Sequence, residues 1–266
     1  MLQTREQKVF AWGSNNHGEL GVGRERIRFS HSSPVEIEML RDQPIKQLAA
    51  ANHSCALMQN GTVYIWGENQ SGELGLGDND DVHVPTPLPL PFEVAAIHLA
   101  NKRSFFIEKS SSSQPQTVSH QKKRPRIYAC GYNYYNQCGI SNRQDQSRPV
   151  EIPFFKNTPL KILATGGLHT LVLSNNNLLY AIGDNNNGQL GLGDKNWRNE
   201  FTPVLFFCEQ LERTLTRLQI MNIYFNKKYA NINSSEKYQV ATVIQRAFKH
   251  YSERQVNDLE TFMVTY

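Results

Sequence analysis

Short runs in which apolar and polar-edged or aromatic side chains alternate recur along the chain, each closed by a glycine. They read Val9-Phe10-Ala11-Trp12-Gly13, Val63-Tyr64-Ile65-Trp66-Gly67, Ile127-Tyr128-Ala129-Cys130-Gly131 and Leu179-Tyr180-Ala181-Ile182-Gly183. Side chains of an extended strand point to opposite faces with a period of two, so each run predicts a short β-strand. The closing glycine and the small polar residues behind it predict a turn, because positive φ costs glycine little. A second pattern follows the first: Gly72-Glu73-Leu74-Gly75-Leu76-Gly77, with copies at Gly18–Gly23 and Gly188–Gly193 and a worn one at Asn136-Gln137-Cys138-Gly139-Ile140. Leucines set between glycines suit a tight loop in which the backbone approaches a neighbour. The anchors Gly13, Gly67, Gly131 and Gly183 lie roughly 50 to 65 residues apart, a period that points to blades or stacked repeats.

Each repeat has a second half. It reads Leu48-Ala49-Ala50-Ala51-Asn52-His53-Ser54-Cys55-Ala56-Leu57, and again Leu163-Ala164-Thr165-Gly166-Gly167-Leu168-His169-Thr170-Leu171. A decayed copy, Leu99–Phe106, puts Arg103 where the others put His. Proline exits follow at Pro34, Pro87, Pro149 and Pro203. Taken together, residues 8 to 205 resemble the repeats of the regulator of chromosome condensation family. The resemblance implies an all-β repeat fold, a partial or small β-propeller of about four blades. The family's full ring has seven, and four front halves with three back halves do not fill it. Either a small closed ring or an open arc fits, and an arc with a helical cap is expected, since bare edge strands invite aggregation.

The chain divides into propeller-type repeats over 1–205 and a helical segment over 206–266. Within the repeats, 8–37 form an orphan front half, and 45–91, 97–152 and 160–205 form fuller units. The Ser/Gln-rich, charged stretch 109–126 cannot bury a core and is expected to be a mobile surface loop. After Pro203, Leu211, Leu215 and Leu218 fall at helical spacing and predict a helix over about 206–226. Ser235 opens a second helix running to about 262.

Composition narrows the chemistry. A net charge of +4 gives no reason to expect duplex nucleic acid. Cys55, Cys130, Cys138 and Cys208 have no zinc-ligand spacing and read as free thiols. No metal or cofactor is implied. Asp78-Asn79-Asp80-Asp81 begins like a calcium loop but lacks the mid-loop glycine, and Pro89 stands where the bidentate glutamate belongs. His53 and His169 sit at matched repeat positions in different blades and read as structural hydrogen-bonders, with no third group to complete a triad. No phosphate-loop motif occurs. The N-terminal residues have no apolar signal core and no run reaches the ~20 apolar residues of a membrane span, so an intracellular protein, cytoplasmic or nuclear, is expected.

Two motifs point to partners. Lys122, Lys123, Arg124 and Arg126 resemble a short nuclear-import signal; a solvated basic loop is the competing reading. Ala241–Arg254 is similar to the calmodulin-binding IQ motif, with Ile244 and Gln245 as its opening pair and Lys249 and Arg254 at its basic positions. The competing reading packs its apolar stripe against the last blade. The family resemblance itself implies a binding platform, best known for guanine-nucleotide exchange on the small GTPase Ran, through loops and without covalent chemistry. Short chains of such repeats also occur among effectors delivered to host cells by intracellular bacteria. A GTPase-directed protein of Ran-activating type is therefore expected, with Asp78, Asp80 and Asp194 as its loop contacts. A non-catalytic adaptor, recruiting calmodulin or a related light chain through the C-terminal helix, is the alternative.

Overall fold

A computed structural model describes residues 1–23, 29–110 and 124–204. The predicted helices over 206–226 and 235–262, and the IQ-like residues with them, lie outside the described residues. Four antiparallel sheets follow one another along the chain. The first holds β1 (Leu2–Gln3), β2 (Val9–Ser14) and β3 (Ser30–Glu36). The second holds β4 (Ile45–Ala50), β5 (His53–Met58), β6 (Val63–Gly67) and β7 (Val82–Leu88). The third holds β8 (Val94–Ala100), β9 (Arg103–Glu108), β10 (Ile127–Gly131) and β11 (Gln146–Glu151). The fourth holds β12 (Leu160–Thr165), β13 (His169–Ser174), β14 (Leu179–Gly183) and β15 (Arg198–Pro203). Every sheet is a meander in chain order, the form of a propeller blade.

The two sequence halves meet inside one blade. His53 pairs opposite Gly67, Arg103 opposite Gly131 and His169 opposite Gly183, so Arg103 does occupy the histidine place of its repeat. Among the described residues the first sheet has three strands, with no counterpart of β4, β8 or β12, and β1 is only two residues long.

The closing glycine of each run now has a physical role. In every blade the pairing with the last strand slips one residue before it, at Trp12, Trp66, Cys130 and Ile182. The extra residues belong to the last strand, which advances four residues while the run advances two, and the run keeps its regular register with the strand before it. The closing glycine takes φ of +109°, +111°, +99° and +109° at Gly13, Gly67, Gly131 and Gly183. That backbone is one that side-chain-bearing residues rarely adopt. At Gly67 a Cβ would also stand 2.7 Å from the His53 Cα, so strand approach and backbone angle both demand glycine.

The core lies between blades. Val9 and Ala11 of the first sheet, with Ile37 just after it, pack with Ala56, Met58 and Trp66 of the second. Cys55, Leu57 and Ile65 pack with Ile97, Phe106 and Cys130, joining second to third. Phe105, Ile127 and Ile152 pack with Leu163 and Val172, joining third to fourth. A further cluster, Leu173, Leu179, Ala181, Leu190 and Val204, draws only on the fourth blade. Among the described residues no core cluster joins the fourth sheet to the first.

Candidate functional site: the loop end of the blades

In a four-strand meander the first turn and the last loop share one end. The turns at 51–52, 101–102 and 166–168 therefore lie beside the long glycine-containing loops, while the 109–126 insert, joining the second and third strands of its blade, leaves from the opposite end.

One asparagine organises each long loop. Asn15, Asn69, Asn133 and Asn185 are all at most 2% exposed. Each Oδ1 accepts the amide of the residue five positions on: Leu20 at 3.1 Å, Leu74 at 2.9 Å, Cys138 at 3.0 Å and Leu190 at 2.9 Å. On its other side, Asn69 Nδ2 donates to the carbonyls of Asp78 and Asp80, and Asn185 Nδ2 to those of Asp194 and Asn196. The Glu or Gln four residues later closes the tip, Glu73 accepting from the Ser71 amide at 2.7 Å and Gln137 from the Tyr135 amide at 2.8 Å. These motif side chains are spent on the loop's own backbone, which satisfies groups that a buried loop would otherwise leave unpaired.

The carbonyl of that same Glu or Gln ties its loop to the next blade. Ser54 Oγ donates to Glu19 O at 2.8 Å, Ser104 Oγ to Glu73 O at 2.7 Å and Thr170 Oγ1 to Gln137 O at 2.7 Å. Here is the reason for Ser/Thr after the histidine position. His53 Nε2 lies 2.7 Å from Ser104 Oγ, extending the chain across two blades, and burial pulls its imidazole down to about 4. His169 packs against Gly166 and is held below the ordinary histidine range by burial.

The nominated carboxylates all lie on this end, Asp78 and Asp80 in the second blade's loop and Asp194 in the fourth's. Asp78 Oδ1 accepts from Asn69 Nδ2 and from the Asp80 amide, each at 3.1 Å. Asp194 receives Arg198 Nη2 at 2.6 Å and the Asn196 amide at 2.8 Å, and Arg198 holds its carboxyl below the usual range. Both brace the loop, while Asp80 is exposed. Of the basic run, Arg126 grips Glu108 through two bonds of 2.7 and 2.9 Å, and Arg124 Nη1 donates to Asn157 O at 2.9 Å. Lys122 and Lys123 lie outside the described residues.

Sequence reasoning missed three features. Lys102 Nζ meets Glu68 at 2.8 Å, and His17 Nδ1 meets Asp81 at 2.7 Å, linking the loops of the first two blades. Arg143 lies 4.8 Å from the Tyr134 ring and 4.6 Å from the Trp197 ring, bridging loops of the third and fourth blades with Tyr134 50% exposed. The signal was the worn copy itself, Tyr132-Asn133-Tyr134-Tyr135, where aromatic residues replace the small polar ones. Among the described residues no cluster of metal-ligating side chains occurs, and no helix is long and apolar enough to cross a membrane.

A family model described as the regulator of chromosome condensation (RCC1) repeat matches residues 6–58, 60–107, 126–173 and 176–214. The human probable E3 ubiquitin-protein ligase HERC3 is 31% identical over 188 residues, covering 70% of this chain and 17% of that protein. The Arabidopsis thaliana ultraviolet-B receptor UVR8 is 30% identical, over 70% of this chain and 39% of its own length. The X-linked retinitis pigmentosa GTPase regulator of Canis lupus familiaris is 27% identical over 260 residues, 82% of this chain and 25% of that protein. The chain thus spans well under half the length of these relatives. Among solved structures, Saccharomyces cerevisiae Prp20p, described with its binding properties to Gsp1p and histones, superposes with a TM-score of 0.60 at 23% identity, covering 74% of this chain and 46% of that one. Yeast RCC1 (Prp20) bound to Kap60 gives 0.61 at 22% identity, over 76% and 45%. That likeness shows the fold.

Proposed function

The chain belongs to the RCC1 repeat family, and from that membership we propose that it is a propeller-type interaction module that binds a small GTPase of Ran type through its loop end and promotes nucleotide exchange. The observation that carries the reading is the set of asparagine-locked loops gathered on one end of the blades. Loops held by their own hydrogen bonds lose little freedom on docking, so more of the contact energy remains to distort a bound partner. Exchange by such a surface needs no nucleophile or metal; it needs an interface that favours the nucleotide-free partner over the loaded one. Prp20p, which shares the fold, is described with binding to Gsp1p. A relative at 27% identity is named a GTPase regulator. Both lend support.

The alternative reading is an adaptor that holds a partner without turnover, with the IQ-like helix around Ile244 and Gln245 as a calmodulin contact. It is supported by relatives in which the matched part is a minor share of a larger protein. The deciding experiment is release of labelled GDP from Ran and a panel of small GTPases, with the protein far below stoichiometry. Accelerated release from one member is expected. One-to-one binding without release would replace exchange by the adaptor reading, and binding to no GTPase would remove both exchange and GTPase recognition.

A further inference from the structure

Arg103 is the one charged residue at the repeat's histidine position, and its surroundings do not neutralise it. It is 1% exposed. Its Nη2 donates to Gly166 O at 2.8 Å and to His169 O at 3.4 Å, both in the fourth blade. Its Nε and Nη1 have no hydrogen-bond partner. A buried guanidinium with three unmet N–H groups, one on Nε and two on Nη1, is costly, far more so than the neutral imidazole that His53 and His169 supply at matched positions. Burial accordingly draws its pKa down to about 10.

Arg103 also lines a cavity of about 330 Å³ at the loop end, where the second, third and fourth blades meet. Ser71, Asn101, Lys102, Tyr132 and the Gly167–Leu168 turn complete the lining. That lining holds two cations and no carboxylate. Of the nearby acids, Glu68 is engaged by Lys102 and Asn52 at 2.8 Å each and Asp145 by the Asn133 amide at 2.9 Å, while Glu73 accepts from the Ser71 amide through one oxygen and its buried Oε1 has no partner. The volume accommodates a small oxyanion together with some of its water, at about 30 Å³ per water.

We propose that this cavity is an oxyanion site, in which Arg103 and Lys102 receive a carboxylate or phosphate group. At rest the free Arg103 N–H groups are sealed from the cavity, so the group would be met by a guanidinium that turns towards it and by the partly exposed Lys102 ammonium that Glu68 holds at the rim, a charge-assisted pairing. Two sources share that chemistry: free phosphate, and the acidic side chain of a partner docked on the loop end. The inference does not depend on that partner being a GTPase.

The test titrates the full chain with inorganic phosphate and, separately, with succinate, at constant ionic strength against chloride. Binding is read by calorimetry and by the NMR signal of the Arg103 Nε–H, which is assigned by its loss in Arg103→His. That variant places at 103 the residue the other blades carry, so the fold is expected to survive. Saturable binding that moves the Nε–H signal is expected, weakened at least about 10-fold in Arg103→His and about 3-fold or more in Lys102→Gln, the range for losing a charged hydrogen bond and an exposed charge. Tighter phosphate binding would point to a free anion, tighter succinate binding to a partner's carboxylate. An Nε–H signal that neither anion moves, or affinity unchanged in both variants, would overturn the proposal.

Discussion

Trp12 and Trp66 stand in nearly the same local sequence, at the same bulge, one residue before a glycine with φ near +110°. Trp66 is fully buried and its Nε1 donates to Glu19 O of the preceding blade at 3.0 Å. Trp12 is 47% exposed. Strand alternation turns Trp66, together with Tyr64, to the face that packs on the preceding blade, and Trp12 holds the same position in its own strand. Only Trp66 has such a blade among the described residues. Burial here is a property of the neighbour, not of the strand that carries the residue.

The comparison is sharpest in stability. Trp66→Ala should cost about 3–5 kcal/mol through lost burial and a cavity between the first two blades, whereas Trp12→Ala should stay within about 0.5 kcal/mol. Urea unfolding of the two variants measures this directly, and equal losses would mean that blade stacking is not what fixes the indole.

Loop and junction can be separated in the same way. Asn69→Ala strips the Leu74 amide and the Asp78 and Asp80 carbonyls of their partner, an expected loss of about 1–3 kcal/mol. If the loop is braced as described, hydrogen exchange at the Leu74 amide quickens while the Trp66 environment, read by fluorescence, stays unchanged. Movement of both signals would show that loop and junction are one unit.

The junctions should also differ in pH response. His53 is lowered to about 4 by burial, so its contribution to stability is full above about pH 6.5 and falls away as the pH drops towards 4. Replacing it in His53→Gln should flatten that acid limb, and an unchanged limb would assign the loss to other groups. At the first junction the sign reverses. The hydrogen bond to Asp81 raises the His17 pKa, so its contribution is full below about 6.5 and is lost as the pH rises through the raised value. Both partners are partly exposed, which keeps this smallest effect below about 1 kcal/mol. Comparing stability at pH 6 and 8 in wild type and His17→Gln detects it; the variant should lose the difference.

What the sequence determined by itself is what neighbours within one repeat can specify. Period-two alternation set the strands, glycine set the positive-φ strand end that side-chain-bearing residues rarely enter, and Asn69 closed on a residue five positions away. Even the match of Arg103 to the histidine position was legible, because register within a meander follows from turn length. Tertiary structure alone decided what crosses between blades. His53 meets Ser104, Arg103 reaches Gly166, and Arg143 lies against Trp197, each pair separated by roughly one repeat. No local periodicity encodes such contacts, since they depend on how one sheet twists and stacks on the next. The same cause separates the two tryptophans: their strands are alike, and only packing tells them apart.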